Sequence, residues 1–155
     1  MLDYPKHYFI TSGVGKAESQ LVSFDNALIN AEISNYNLLR VSSILPIECT
    51  RENAISEKEG SAILVAYGTT SSDNYGCVIS SAIAVAIPKS PEQVGVIMEY
   101  SGNCSADEAD KIVREMVKES MKNHKIDYID IQSSSIEAIV DEESYTTVIS
   151  AIAMW

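Results

Sequence analysis

Three stretches in the middle of the chain are apolar at consecutive rather than alternating positions. They are Ser61-Ala-Ile-Leu-Val-Ala-Tyr67, Cys77-Val-Ile-Ser-Ser-Ala-Ile-Ala-Val-Ala-Ile87 and Gly95-Val-Ile-Met-Glu-Tyr100. Strands written this way have no face to show to water, so each must be covered on both sides. Gly68, Pro88 and Gly102 bound the runs, and none approaches the length of a membrane span. A cover is available nearby. From Ala106 to Lys122, residues Ala109, Ile112, Val113, Met116, Val117 and Met121 recur at helical spacing and form one apolar stripe. Ser105 with Glu108 three places on is a capping box that starts this helix, and its methionines suit a core better than a cofactor pocket.

The remaining segments read as follows. His7 to Thr11 is a short strand ending in a Gly13-Val-Gly15 turn, and Ser23 is the expected N-cap of a helix with Phe24, Ala27, Leu28 and Ala31 on its apolar face. Tyr36 to Ile44 reads as one strand stopped by Pro46. Glu48 to Gly60 is a polar, charged loop, and Thr69 to Gly76 is rich in turn residues. Strands near Ser135 to Val140 and Tyr145 to Ala153 close the chain. Two helices against about seven strands, without regular alternation, predict an α+β fold.

At 155 residues the chain is the size of a single domain, expected over residues 1–155. Its 22 acidic against 11 basic residues, a net charge of −11, argue against nucleic acid and against an anionic membrane surface as partners. Solubility accounts for such a charge, and a cationic substrate is the sharper alternative. Cys49, Cys77 and Cys104 are scattered and odd in number, and His7 and His124 complete no metal site with them. The first ten residues lack the pattern of a secretory signal, so a cytoplasmic protein is expected. Phosphate-binding glycine loops, HExxH and GxSxG are all missing.

What remains is Asn37-Leu-Leu-Arg-Val-Ser-Ser-Ile-Leu-Pro46, two serines at the end of an apolar strand. A serine hydroxyl there can attack the carbonyl of the residue before it if a turn brings them together and a donor polarises that carbonyl. The ester can then undergo β-elimination to dehydroalanine, which hydrolyses to a pyruvoyl group. From the context of the two serines, a plain strand end is the simpler account.

The segment resembles the self-cleavage site of the pyruvoyl-dependent arginine decarboxylases, and the resemblance extends from about Phe24 to the C-terminus. It includes Phe24-Asp-Asn-Ala-Leu-Ile-Asn-Ala31, Ala66-Tyr-Gly68, Ser80-Ser-Ala-Ile-Ala-Val-Ala-Ile-Pro88, Gly95-Val-Ile-Met-Glu-Tyr100 and the helix around Val113-Arg-Glu-Met116. The residues before Phe24 and the loop from Ile47 to Gly60 match least.

The resemblance implies a four-layer α/β/β/α sandwich, self-cleaved between Ser42 and Ser43 into a small chain (residues 1–42) and a large chain (residues 43–155) headed by a pyruvoyl group made from Ser43. That group replaces pyridoxal phosphate, and no metal is required. It further implies decarboxylation of L-arginine to agmatine and carbon dioxide through a Schiff base. Asn37 would assist self-cleavage and Glu99 would be the proton donor. Asp25 would pair with the guanidinium group, and Leu28, Ser34, Tyr36 and Ser42 would line the substrate pocket. Homotrimers with sites between subunits are implied, with pairing of trimers left open. The product fits either polyamine biosynthesis or acid resistance. Two other readings stay open at this level: another basic amino acid as substrate, and an uncleaved, non-enzymatic trimer that binds a cationic small molecule.

Overall fold

A computed structural model describes residues 3–155. Met1 and Leu2 of the expected domain and small chain lie outside the described residues. In chain order the elements are β1 (His7–Ala17), α1 (Gln20–Asn30), β2 (Asn37–Arg40), β3 (Ile44–Leu45), β4 (Thr50–Arg51), β5 (Ala62–Ser72), β6 (Val78–Pro88), β7 (Gly95–Gly102), α2 (Ala106–His124), β8 (Tyr128–Ile139) and β9 (Tyr145–Met154). They build two sheets. One is five-stranded in the order β2-β5-β9-β1-β4, and the other is four-stranded in the order β3-β7-β6-β8. The short pairs β1/β4 and β2/β5 are parallel and the remaining pairs antiparallel, so the α+β reading holds.

The doubly apolar runs find the cover they need. On β6, Ile83 and Val85 face the other sheet, where they pack with Tyr8, Ile10, Ala66, Ile152 and Met154. Its alternating residues Ala82, Ala84 and Ala86 face α2 and meet Ala109, Val113, Val117 and Met121 of the predicted stripe. Small residues on that face let the helix approach closely, and the larger branched ones fill the space between sheets. α1 packs in the same way on the far side of the five-stranded sheet, with Ala27 and Ala31 against Phe9, Val65, Ile149 and Ala151. The capping box forms as expected: the Ser105 hydroxyl accepts from Glu108 N, and Glu108 accepts from Ser105 N.

Four expectations are corrected. Gly13 and Gly15 make no turn; β1 runs through both to Ala17. Their lack of a side chain serves α1. A Cβ on Gly13 would land on the Ala27 carbonyl oxygen and 2.7 Å from the Ala31 nitrogen, and one on Gly15 would strike the Ser23 carbonyl oxygen and the Ala27 nitrogen. The N-cap of α1 is Ser19, whose side chain accepts from Val22 N. Ser23 lies one turn inside the helix, buried, with its hydroxyl donating to the Gln20 carbonyl at 2.7 Å. Thr69 to Ser72 continue β5, because β9 pairs with them up to Ser72↔Thr146. Lastly, Tyr36 to Ile44 is not one strand but two, and the break between them creates the candidate site.

The tight α1–β1 approach gives a direct test. Gly15→Ala should destabilise the protein by about 3 kcal/mol, read as a lowered urea midpoint. A midpoint equal to the parent's would contradict the close contact.

Candidate active site

β2 is the edge of the five-stranded sheet, parallel to β5 from Asn37↔Ala62 to Arg40↔Val65, and Val41 N extends the ladder by donating to the Val65 carbonyl at 3.1 Å. β3 is the edge of the other sheet, with Ile44 opposite Val96 and Leu45 opposite Gly95. Ile97 N extends that ladder by donating to the Ser43 carbonyl at 2.7 Å. The chain therefore leaves one sheet at Val41 and is caught by the other at Ser43. The Ser42–Ser43 peptide spans the gap and belongs to neither strand. Ser42 is exposed and Ser43 partly buried, beside a shallow depression of about 220 Å³ lined by Val41, Ser42, Ile44, Pro46, Leu64 and Met154, with Pro5 at its rim.

Glu99 stands on β7, the strand that holds Ser43. Along β7 the side chains alternate: Ile97 enters the core between the sheets, while Val96, Met98 and Tyr100 pack toward α2. Glu99 shares the inner face with Ile97 and lies against β5 at Gly68, where an added Cβ would come within 3.0 Å of both Cβ and Cγ of Glu99. Burial pushes the Glu99 carboxyl above its ordinary value, and the Arg40 guanidinium partly opposes that rise. Tyr100 on the opposite face is packing, as its place in the alternation predicts.

Arg40 was passed over in the sequence, although it is the one charge between Asn37 and Pro46. Its guanidinium carbon lies 4.5 Å above the Tyr67 ring centroid, and its Nη2 donates to the Tyr67 carbonyl at 3.1 Å. The reason is topological. Val41 N satisfies the Val65 carbonyl, but β2 has ended before the next outward carbonyl on β5, that of Tyr67. The arginine side chain takes the place of the missing strand.

The other predicted site residues are spread more widely. The Asn37 amide donates to the Gly60 carbonyl at 2.8 Å, so it closes the loop before β5 and is not brought to the Ser42–Ser43 bond. Asp25 is exposed on α1 and makes no ion pair among the described residues. Leu28, on the same helix, packs at the margin of the α1 core, as does Tyr36, whose hydroxyl donates to the Glu57 carbonyl at 3.3 Å. Ser34 is half-buried in the turn between α1 and β2. One copy of the chain thus joins Ser42 and Ser43 to the strand of Glu99, on which the Arg40 charge acts, whereas Asp25 lies exposed on α1, outside the five-stranded sheet. No cluster of three His, Cys, Asp or Glu side chains that could hold a metal occurs among the described residues. Nor is any described helix long and apolar enough to cross a membrane.

In fold the chain is similar to a solved pyruvoyl-dependent histidine decarboxylase, with a TM-score of 0.53 at 15% identity over 67% of this chain. The match covers 54% of that larger chain, so this protein spans about half its length. The class is that of the pyruvoyl decarboxylase fold. Within it, the family model described as pyruvoyl-dependent arginine decarboxylase matches residues 7–155. A protein of that name from Methanocaldococcus jannaschii is 40% identical over 151 residues, covering 97% of this chain and 90% of the relative. One from Thermococcus kodakarensis is 33% identical over 140 residues, covering 90% and 88% respectively. The chain belongs to the pyruvoyl-dependent arginine decarboxylase family.

The environment of Glu99 has a consequence for stability. A carboxyl whose folded-state proton affinity is raised contributes fully at low pH, and that contribution is lost as pH rises through the shifted value. Glu99→Gln does not titrate. Its denaturation midpoint should therefore improve relative to the parent as pH rises above the ordinary carboxylate range, with a constant difference as the result that contradicts the buried environment.

Proposed function

We propose that this chain cleaves itself between Ser42 and Ser43 and then decarboxylates L-arginine to agmatine and carbon dioxide. The observation that carries the reading is the crossing peptide itself: a Ser-Ser bond strung between two sheets, its second carbonyl held by Ile97 N–H, with Glu99 two residues further along the same strand.

Self-cleavage begins with attack of the Ser43 hydroxyl on the Ser42 carbonyl carbon. The Ser42–Ser43 C–N bond breaks and an ester forms in its place. Removal of the Ser43 α-proton then expels the Ser42 carboxylate from the Ser43 β-carbon, and water displaces ammonia from the remaining dehydroalanine to leave the pyruvoyl group. The segment suits this group: the bond has no ladder to hold it rigid, and Ser43 is fixed through its carbonyl while its amide nitrogen remains outside the β3 pairing. Arg40, two residues upstream of Ser42, places a positive charge near the end where a carboxylate is released.

When formed, the pyruvoyl group supplies a ketone that condenses with an amine and withdraws electrons from the carbon beside it. Ile97 N–H, 2.7 Å from the Ser43 carbonyl oxygen, favours negative charge on that oxygen. Glu99, whose proton affinity is raised by burial, delivers a proton to the substrate α-carbon after carbon dioxide departs. Asp25 binds the substrate guanidinium with Leu28, Ser34, Tyr36 and Ser42 around it, and Asn37, held by Gly60 away from the Ser42–Ser43 bond of its own copy, assists the first cleavage step of a neighbouring copy.

Asp25 stands on α1, outside the five-stranded sheet, and Ser43 pairs with the other sheet, which supports a site completed by neighbouring subunits in a homotrimer. Around Asp25, Leu21 is 78% exposed, Val22 51% and Ile29 56%, an apolar surface that assembly would cover. Helices on the outer faces of the two sheets support a four-layer α/β/β/α sandwich as the protomer, a single domain of the two proposed chains, 1–42 and 43–155. The three unpaired cysteines suit a reducing cytoplasm.

Ser43→Ala removes the attacking oxygen. It should run as one uncut chain on a denaturing gel and release no carbon dioxide from arginine; two fragments from this variant would refute cleavage by Ser43. Glu99→Gln should self-cleave yet turn over at least 100-fold more slowly, on the scale of a lost general acid. Asp25→Asn should raise KM for arginine roughly tenfold or more with kcat less affected. Equal turnover of lysine and arginine by the parent enzyme would remove the guanidinium assignment.

A further inference from the structure

Between the two sheets runs a seam of hydroxyl groups that the chemistry above leaves unused. Ser12 Oγ lies 2.7 Å from both Ser134 Oγ and Ser150 Oγ, and Ser150 Oγ donates to the Ser81 carbonyl at 2.9 Å. Ser101 Oγ donates to Ser81 Oγ at 2.9 Å, and Ser81 Oγ donates to the Gly68 carbonyl, also at 2.9 Å. Ser81 and Ser150 are fully buried. A buried hydroxyl must find partners, and here each branch ends on a backbone carbonyl. A carbonyl cannot pass a proton onward, so the seam is no proton wire. What it does is fix positions.

The position it fixes is Gly68. The Cα of Gly68 is the surface against which Glu99 rests, and the Ser101 hydroxyl lies 3.2 Å from the place a Cβ would take. Ser101 and Glu99 are two residues apart on β7 and share one face. The Ser81 bond to Gly68 spans from one sheet to the other, since β6 and β5 belong to different sheets. It therefore sets the separation of the sheets at the carboxyl.

We infer that Ser81, backed by Ser101, is a positioning residue for Glu99, its hydroxyl holding the Gly68 backbone as the wall that seats the carboxyl between the sheets. The inference rests on Glu99 as the proton donor. Without the Ser81 hydroxyl the wall is released and water gains access to Glu99, so the burial that keeps the carboxyl protonated is weakened. The charged group acting on Glu99 is Arg40 from β2, whereas β6 and β7 present Ile83 and Ile97 beside it; Tyr67, under the guanidinium, packs on the α1 face of β5. The pH response there is thus that of Glu99 beside a permanent cation.

The test compares self-cleaved Ser81→Ala and Ser101→Ala enzymes with the parent in kcat, KM and the pH dependence of kcat. Ser133→Ala is the control. It breaks a network of similar size on the α2 side, where the Ser133 hydroxyl accepts from Arg114 at 2.7 Å and donates to Asp110. Ser81→Ala should lower kcat roughly three- to tenfold, the worth of one hydrogen bond, with KM for arginine unchanged. The high-pH limb of its kcat profile should move to lower pH, and Ser101→Ala should shift it in the same direction by less. Ser133→Ala should leave the limb in place. If Ser81→Ala does not fold or self-cleave, the partly exposed Ser101 decides the matter. Unmoved limbs in both serine variants, with Glu99→Gln inactive, would overturn the positioning role and leave the proton donor standing. Normal turnover by Glu99→Gln would instead overturn the reading beneath it.

Discussion

The face-to-face contact of the two sheets is the constraint on which the rest of the molecule depends. Ile83, Val85 and Ile97 from one side and Ile10, Ala66 and Ile152 from the other fill the space between them with side chains that are nearly or wholly buried. With the sheets held about 10 Å apart, a chain that supplies an edge strand to each must cross that distance in a few residues. Val41 to Ser43 make the crossing. The exposed peptide at the serine pair is thus a product of the core packing. Any change that slid one sheet across the other would alter the geometry of this bond before it altered either helix.

The same packing explains how a carboxyl comes to lie at the margin of an apolar interior. Glu99 occupies an inward position of β7, where the pattern of its neighbours calls for a hydrophobic residue. It fits because the facing residue on β5 has no side chain, and because the core changes at that level from branched aliphatics to serines. Desolvation raises its proton affinity, and the Arg40 charge restrains the rise. Arg40 can moderate the balance because it is itself anchored, stacked on Tyr67 and bonded to its carbonyl.

Much of this was legible in the sequence where residues act locally. The 3.6-residue stripe and the Ser105–Glu108 box located α2, and the consecutive apolar runs announced strands covered on both faces. The motif around Ser42 and Ser43 pointed to the family. The errors fall where a distant element decides. Gly13 and Gly15 look like a turn because glycine permits one, yet their role is to admit α1, which no local pattern reveals. Tyr36 to Ile44 has the composition of one strand. Only the existence of two sheets divides it, at the serine pair. Arg40 was passed over because its partner carbonyl is orphaned by the end of β2, a fact of topology. Asn37 and Asp25 were selected by resemblance, and within one copy the Asn37 amide is taken up by the Gly60 carbonyl.

The position of the serine pair also bears on whether the proposed cut would let the chain come apart. Residues 3–42 contain β1, α1 and β2, and these are interleaved with the strands that follow. β1 is an interior strand, paired with β9 at every residue from Tyr8↔Met154 to Ala17↔Tyr145, while β2 lies beyond β5 at the sheet edge. The helix between them is seated on the β1–β9 face through the close contacts at Gly13 and Gly15. Breaking the crossing peptide removes no ladder hydrogen bond, because that bond lies outside both ladders. The new ends remain fixed by neighbours, Val41 to Val65 on one side and Ser43 to Ile97 on the other. A cut there would therefore free only the short link between the sheets. A break inside β5 or β9 would instead divide the five-stranded sheet, so the crossing is the place where covalent continuity can be lost while the core stays closed.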